Sequence, residues 1–577
     1  MSSVSSKDQT EESPQAWSWS KRLTLSLPIF VILIALLSSV SNATAVPWNN
    51  DPIDQSIETV DSDTSVKFAN PSKVTLAKRG TYSITERHAT IDVKQKATGD
   101  TQHIHILIRE PKGASGKLPG VVFMHGAGYG TAEDSFGDVA SDLSSAGFVS
   151  AVIDKPVWNT SDANRDYPAS AKAYDQVIDY LRELENVDSS TVGIYATSES
   201  TWISSYLLQS DHKVAFQILL SPMVHSPRHS LGFLAAQDFA MVGANPGYQS
   251  IVRRLFSADL DLFGLHNLDI DTLKPAAYAI PTFVAYGSKD VMTAQVDGAQ
   301  TIMKLAHEAD NWNVTIRNYP LANHVLRLGD EAQTNTPLVD SYENDMVDWA
   351  VGITHDLKQT TQLVTGATIK QSIAVPFDLR SRPTLTVYML VIHAASLIFI
   401  LATMLMWIVA LVRKTRALIR RDSGHVLGFT HGFGEILVLI TGTTLATLVL
   451  FFSGLAQVVY AVVKLVWGGA PATAGMIYWS WPVIQIVSTL VVWAWSRVFA
   501  RLIEVASMRG LLRMPTMALI RGLIGHRQTR AKPPGASKSE VQPVIAYTRF
   551  GKALFVNTTI AMFCVLLLFA FWGLFIY

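Results

Sequence analysis

Cysteine is almost absent: Cys564 is the only one in 577 residues. That excludes an intrachain disulfide and a cysteine-rich metal site, and it leaves the compartment open, because exported proteins need no cysteine. Net charge is absent as well. Lysine plus arginine and aspartate plus glutamate each number 47. Outside the apolar C-terminal region no stretch is polybasic with interleaved aromatics, so electrostatic capture of nucleic acid finds no support. Also missing is the literal G-x-S-x-G of a strand-turn-helix serine motif. In "VGIYATSESTW", residues 192–202, Ser198 has Ala196 two positions before it and Ser200 two positions after it. Both are small, so the steric demand of such a turn survives without its glycines, Ser200 serving as a tolerated small residue.

Apolar residues are plentiful, at 49% of the chain. A chain this long and this apolar is more than one soluble domain. The run at 23–41 follows Lys21-Arg22 and precedes Ala43-Thr44-Ala45. It reads as an uncleaved anchor or as a signal peptide with an A-x-A site; its length exceeds the ~7–15 residues of a usual signal core and favours the anchor. Either reading exports the residues C-terminal to the run. Four more runs, at about 386–411, 436–462, 476–498 and 553–576, are each long enough to cross ~30 Å of hydrocarbon as a helix. Arg413, Lys414, Arg416, Arg420 and Arg421 lie between the first two, and Arg509, Arg513, Arg521, Arg527 and Arg530 between the last two, whereas the connection "WGGAPATAG" carries no basic residue. Basic loops stay cytoplasmic. The charge pattern therefore predicts a cytoplasmic tail at 1–22, an extracytoplasmic domain at 46–360, a linker at 361–384 and a membrane domain at 385–577. The segment 501–526 is basic and amphipathic and reads as lying along the inner leaflet. "RQTRAKPPGASKSE" beyond it reads as a cytoplasmic loop.

Between the first apolar run and the others, strand-like and helix-like stretches alternate. "HIHILIREP", "GVVFMHG", "FVSAVIDKP" and "TVGIYATS" are β-rich, while "AEDSFGDVASDLSSAG" and "SAKAYDQVIDYLRELENV" have helical apolar spacing. The alternation predicts an α/β fold with a mostly parallel sheet, its active site at the carboxyl ends of the strands. The ordered set "VVFMHGAGYG", "YDQVIDYLRELENVDSSTVGIYATSESTWIS", "IPTFVAYGSKD" and "NHVL" resembles the α/β-hydrolase superfamily, in particular esterase-like members with an S-E-x-x-W turn. The resemblance covers roughly 75–355 and none of the C-terminal membrane block. It implies Ser198 as nucleophile, His324 as the base that activates it, and Asp290 as the acid that orients the imidazole. It further implies an oxyanion hole built from the backbone N–H groups of Ala127 and Glu199. No cofactor and no metal is implied.

An insertion of about 60 residues at about 222–280 reads as a helical cap over the acyl pocket or as helices that only pack. His225 and His229 have i,i+4 spacing, but Pro227 between them argues against a helical metal pair. His393 lies inside a span, and His431 with Glu435 shares a helix face; both read as polar packing before they read as proton or metal sites. Three function classes fit these features. The first is a membrane-tethered serine esterase acting on acyl esters, with lipid or glycolipid esters of the envelope as substrates. The others are an acyltransferase with the same triad, and a hydrolase-fold scaffold without activity. The implied partners are an acyl ester and the bilayer, with no nucleic acid.

Overall fold

The computed structural model describes residues 17–46, 52–94, 99–128, 130–156, 166–259, 262, 269, 273–329, 336–420, 427–430, 432–466, 475–512 and 544–577. Expectations for the first 16 residues, for His431, for "WGGAPATAG" up to Ala474, and for 513–543 fall outside these.

After an N-terminal helix α1 (Trp19–Ala43), the chain builds a nine-stranded sheet from β1 (Ile84–Lys94), β2 (Thr101–Pro111), β3 (Leu118–Met124), β4 (Val149–Ile153), β5 (Val187–Thr197), β6 (Gln217–Leu220), β7 (Thr282–Gly287), β8 (Val314–Tyr319) and β9 (Val364–Gly366). The spatial order is β1-β2-β4-β3-β5-β6-β7-β8-β9. Only β2 runs against the rest of its neighbours, pairing antiparallel with both β1 and β4. Strand order reverses beside β3, and α/β sheets place their sites at such a crevice. Register aligns the carboxyl ends there: Met124 lies beside Ala196, Thr197 beside Leu220, and Gly287 beside Tyr319. Within 361–384, expected as a linker, Val364–Gly366 extends the sheet as β9, and Ile369–Ile373 pairs with Pro52–Ile57.

Both faces of the sheet are covered, as near-continuous runs such as Val121-Val122-Phe123-Met124 require. On one face lie α3 (Tyr167–Arg182), α4 (Ser200–Ser210) and α7 (Gln295–Glu308); on the other, α2 (Gly137–Ser145) and α8 (Tyr342–Thr354). Helix α3 shows why. Asp166 caps it by accepting from the Ala169 N–H, Pro168 fits its first turn, and Tyr174, Val177, Ile178 and Leu181 repeat at helical spacing and are fully buried. Each such side chain contributes about 1.5–3 kcal/mol by leaving water.

The insertion after β6 forms α5 (Pro227–Met241) and α6 (Pro246–Phe256), and the C-terminal region forms α9 (Pro383–Ile419), α10 (Phe433–Val466), α11 (Gly475–Met508) and α12 (Arg549–Phe571). With α1, these last four are long and apolar enough to cross a membrane, and the protein is a membrane protein. Two sequence expectations change in extent. Arg413, Lys414 and Arg416 are the last turns of α9 and not a loop, and Arg501–Met508 continues α11 instead of starting a separate surface helix. An α-helix keeps its backbone hydrogen bonds past the bilayer edge, so charge alone does not end it.

The cap helices pack against the long helices. Phe239, Val242, Tyr248, Ile251 and Val252 share one buried apolar cluster with Phe451, Ile484, Trp481 and Phe569 of the long helices. The Tyr248 hydroxyl meets Ser480 Oγ at 2.7 Å, Arg254 donates to the Ser41 carbonyl at 3.0 Å, and the Asp259 N–H donates to Thr386 Oγ1 at 2.7 Å. Gly247 is required here, since a Cβ would lie 1.9 Å from the Trp481 ring. These contacts fall at the C-terminal end of α1 and the N-terminal ends of α9 and α11. At the opposite end of the bundle Arg22 and Arg501 both pair with buried Glu504, at 2.9 and 2.8 Å. The hydrolase-like unit is thus docked by its cap on one end of the helix bundle.

Candidate active site

Ser198 lies between β5 and α4, with φ of +52°. A non-glycine residue there costs on the order of 1–3 kcal/mol and persists only where neighbours over-determine it. They do. The Ser198 N–H donates to the Leu220 carbonyl at 2.9 Å, and the Ser198 carbonyl accepts from the Thr201 hydroxyl at 2.6 Å. Ser200 is more than small. Its hydroxyl accepts from the Thr197 N–H at 2.7 Å and lies 2.9 Å from the Met124 carbonyl, tying the turn to the end of β3. Ser200→Gly is therefore expected to lower turnover several-fold, and Ser200→Leu to abolish it by driving α4 off the strand; equal rates in the two variants would refute the turn geometry.

Ser198 Oγ faces His324 Nε2 at 2.9 Å, and His324 Nδ1 faces Asp290 Oδ1 at 3.0 Å. An ionised carboxylate only accepts, so Nδ1 carries the imidazole proton and Nε2 presents its lone pair to the serine hydroxyl. Asp290 follows β7 and is held by the Met292 N–H at 2.7 Å. Burial pushes its pKa up, but the His324 charge and the hydrogen bonds of His324, the Met292 N–H and Thr293 outweigh this and leave it below the ordinary carboxylate value. His324 follows β8, and its carbonyl accepts from the Ser221 hydroxyl at 2.7 Å. The two loops touch at Gly287, where a Cβ would lie 2.2 Å from the Asn323 carbonyl oxygen.

The structure brings Ser198, Asp290 and His324 into one hydrogen-bonded line and sets the Ala127 loop beside it. Ala127 is exposed, and Gly126 packs against Thr197 and Ser198. Glu199 is the N-cap of α4, at the end where the helix dipole favours an anion. His125 is structural: its Nε2 bonds the Ile153 carbonyl, its backbone N–H donates to Tyr174, and burial pulls its pKa down to about 4. His229 bonds the Leu379 carbonyl at 2.9 Å and Ser226 at 3.0 Å, so it makes no pair with His225. His393 is held by the Met389 carbonyl and the Trp572 indole N–H.

Sequence reasoning missed Lys155. From the end of β4 its buried ammonium donates to the carbonyls of Gly126 and Gly128, at 2.7 and 2.9 Å, and to Glu199 Oε2 at 3.0 Å. Tyr167 donates to the other Glu199 oxygen at 3.2 Å. One cation thus holds both backbone segments expected to form the oxyanion hole. The only signal was a lysine ending an apolar strand in "AVIDKP". Asp238 of α5 was also missed: it is fully buried, neither carboxyl oxygen has a hydrogen-bond partner among the described residues, and burial with the nearby Asp290 charge raises its pKa to about 8.

The strand order, the antiparallel second strand and a serine on a strained turn after β5 define the α/β-hydrolase fold. No protein-family model and no curated protein matches the chain. Among solved structures it is similar to a protein from Bacteroides ovatus described as a dipeptidyl aminopeptidase IV, at 13% identity over 50% of this chain and TM-score 0.33; the match spans 37% of that longer chain. It is also similar to a bacterial heroin esterase, 15% identical over 48% of this chain and 85% of that one, TM-score 0.32. An esterase from Rhizomucor miehei gives 15% identity over the same shares, with TM-score 0.34.

Proposed function

We propose that this protein is a membrane-tethered serine hydrolase of acyl esters, its hydrolase domain outside the cytoplasm. The observation that carries the reading is the line from Ser198 Oγ through His324 to Asp290 on a turn held in strained conformation. His324 Nε2 takes the hydroxyl proton as Oγ attacks the acyl carbon. The resulting oxyanion meets the N–H groups of Ala127 and Glu199, and the protonated imidazole, stabilised by Asp290, protonates the leaving alkoxide. Water, deprotonated by His324, then attacks the acyl-enzyme and releases the acid.

Docking of the cap on the end of the bundle favours lipid-linked esters, because a pocket held at the bilayer surface receives such a substrate without its crossing water. Purified protein in phospholipid vesicles containing a membrane-embedded acyl ester is expected to release free acid and alcohol in equal amounts. Formation of a new ester when a second alcohol is supplied would instead identify acyl transfer, and absence of turnover despite an active-site serine would exclude esters.

The orientation rests on the positive-inside rule. The bundle end opposite the cap carries Arg22, Arg413, Lys414, Arg416, Arg501 and Arg509. Protease added to intact spheroplasts is expected to digest the domain bearing Ser198 and to spare a tag inserted near Gly535. Protection of that domain with loss of the tag would invert the topology.

A further inference from the structure

Away from the serine, three metal-ligating side chains converge on the outer part of the sheet. His88 on β1 and His105 on β2 lie on the same face, because His88 pairs with Leu107 and His105 is two residues from it. Glu133 reaches them from the segment that connects the Ala127 loop to α2. His88 Nδ1 lies 3.2 Å from His105 Nε2 and 3.3 Å from Glu133 Oε1, and the other His105 nitrogen, Nδ1, lies 3.9 Å from Glu133 Oε1. All three donors lie within 4.8 Å of one another.

Hydrogen bonding satisfies only part of this. Neutral His88 Nδ1 has either one hydrogen or one lone pair. If it donates to Glu133, it has no lone pair to accept from His105; if it accepts from His105, its lone pair faces an acceptor-only carboxylate. A single cation resolves both contacts. Two ligand atoms bound at ~2.0–2.1 Å with tetrahedral angles lie about 3.3 Å apart, as found for both contacts of His88 Nδ1. Two imidazoles and one carboxylate select a first-row transition dication over Ca²⁺ or Mg²⁺, which require oxygen ligands.

We propose that His88, His105 and Glu133 form a binding site for a divalent transition metal, with Zn²⁺ as the fitting ion, that ties the segment after the oxyanion glycines to the β1–β2 edge. The ion's role is to hold that segment. Ala132 of the same segment is already bonded through its N–H to Asp154 at 2.9 Å, and the carbonyl of Gly130 accepts from the Lys155 N–H at 3.0 Å. Metal binding at this site is independent of the serine chemistry.

The test is Zn²⁺ titration of the full-length, chelator-treated protein in detergent, read by calorimetry and by the metal retained after gel filtration. Wild type is expected to bind one equivalent with micromolar or tighter affinity and to gain several degrees in melting temperature. His88→Ala and His105→Ala are each expected to weaken binding at least 30-fold and to remove the thermal gain, and Glu133→Gln to weaken it about 10-fold. His212→Ala, which removes an exposed histidine elsewhere, should leave both readouts unchanged. Circular dichroism of the metal-free variants separates loss of a ligand from loss of fold, since all three side chains are at least partly exposed. Absence of saturable binding to wild type, or equal binding in the His88→Ala/His105→Ala double variant, would overturn the proposal.

Discussion

Alanine in place of Ser198 is expected to abolish labelling by a fluorophosphonate and to lower ester turnover by about 10⁴-fold or more, while expression and melting temperature stay near those of wild type. Only a serine whose proton has an acceptor reacts readily with such a probe, and His324 Nε2 at 2.9 Å is that acceptor. His324→Ala should fall nearly as far. Asp290→Asn keeps the shape of the acid but no longer selects the tautomer, and the expected loss is again about 10⁴-fold. Because the three groups act as one unit, the triple variant should be scarcely worse than Ser198→Ala. Labelling that persists in Ser198→Ala would move the nucleophile to another residue, and absence of labelling in folded wild type would leave the scaffold reading in its place.

Lys155→Met is expected to lower turnover by about 10²–10³-fold, though Lys155 does not touch the reacting atoms. Its ammonium holds the Gly126 and Gly128 carbonyls together with the Glu199 carboxylate, the two segments whose N–H groups are proposed to form the oxyanion hole. Displacing even one oxyanion donor typically costs about 10²–10³ in kcat. The variant also takes one buried cation away from the Glu199 carboxylate, which is expected to lower the melting temperature. Pairing it with Glu199→Gln removes that charge. The double variant is expected to regain stability without regaining rate, with KM for a short ester changed far less than kcat. A stable double variant turning over within about threefold of wild type would reduce Lys155 to an ordinary buried cation.

Much of this was legible in the chain. β-rich runs and helical apolar spacing placed the strands and helices around Ser198, and the order of "VVFMHGAGYG", "ATSESTW", "AYGSKD" and "NHVL" marked the loops at the carboxyl ends. Apolar length announced the five long helices. Local rules carry such expectations because the hydrophobic period, the turn residue and the span length are properties of neighbours in sequence. Less was legible around the turn itself. The small size of Ser200 was evident, but its bonds to Thr197 and Met124 were not, since the second joins residues 76 positions apart.

By itself, then, the sequence determined the element order, the membrane character and the residues eligible for the serine line. Tertiary structure alone decided that Ser198, His324 and Asp290 meet, that Lys155 clamps the Gly126–Gly128 segment to Glu199, and that the cap buries Tyr248 and Phe239 against the long helices. The physical reason is common to all three. A hydrogen bond or an apolar contact between residues about 30 to 240 positions apart is specified by the register of a sheet and the docking of helices, and neither leaves a local pattern in the chain.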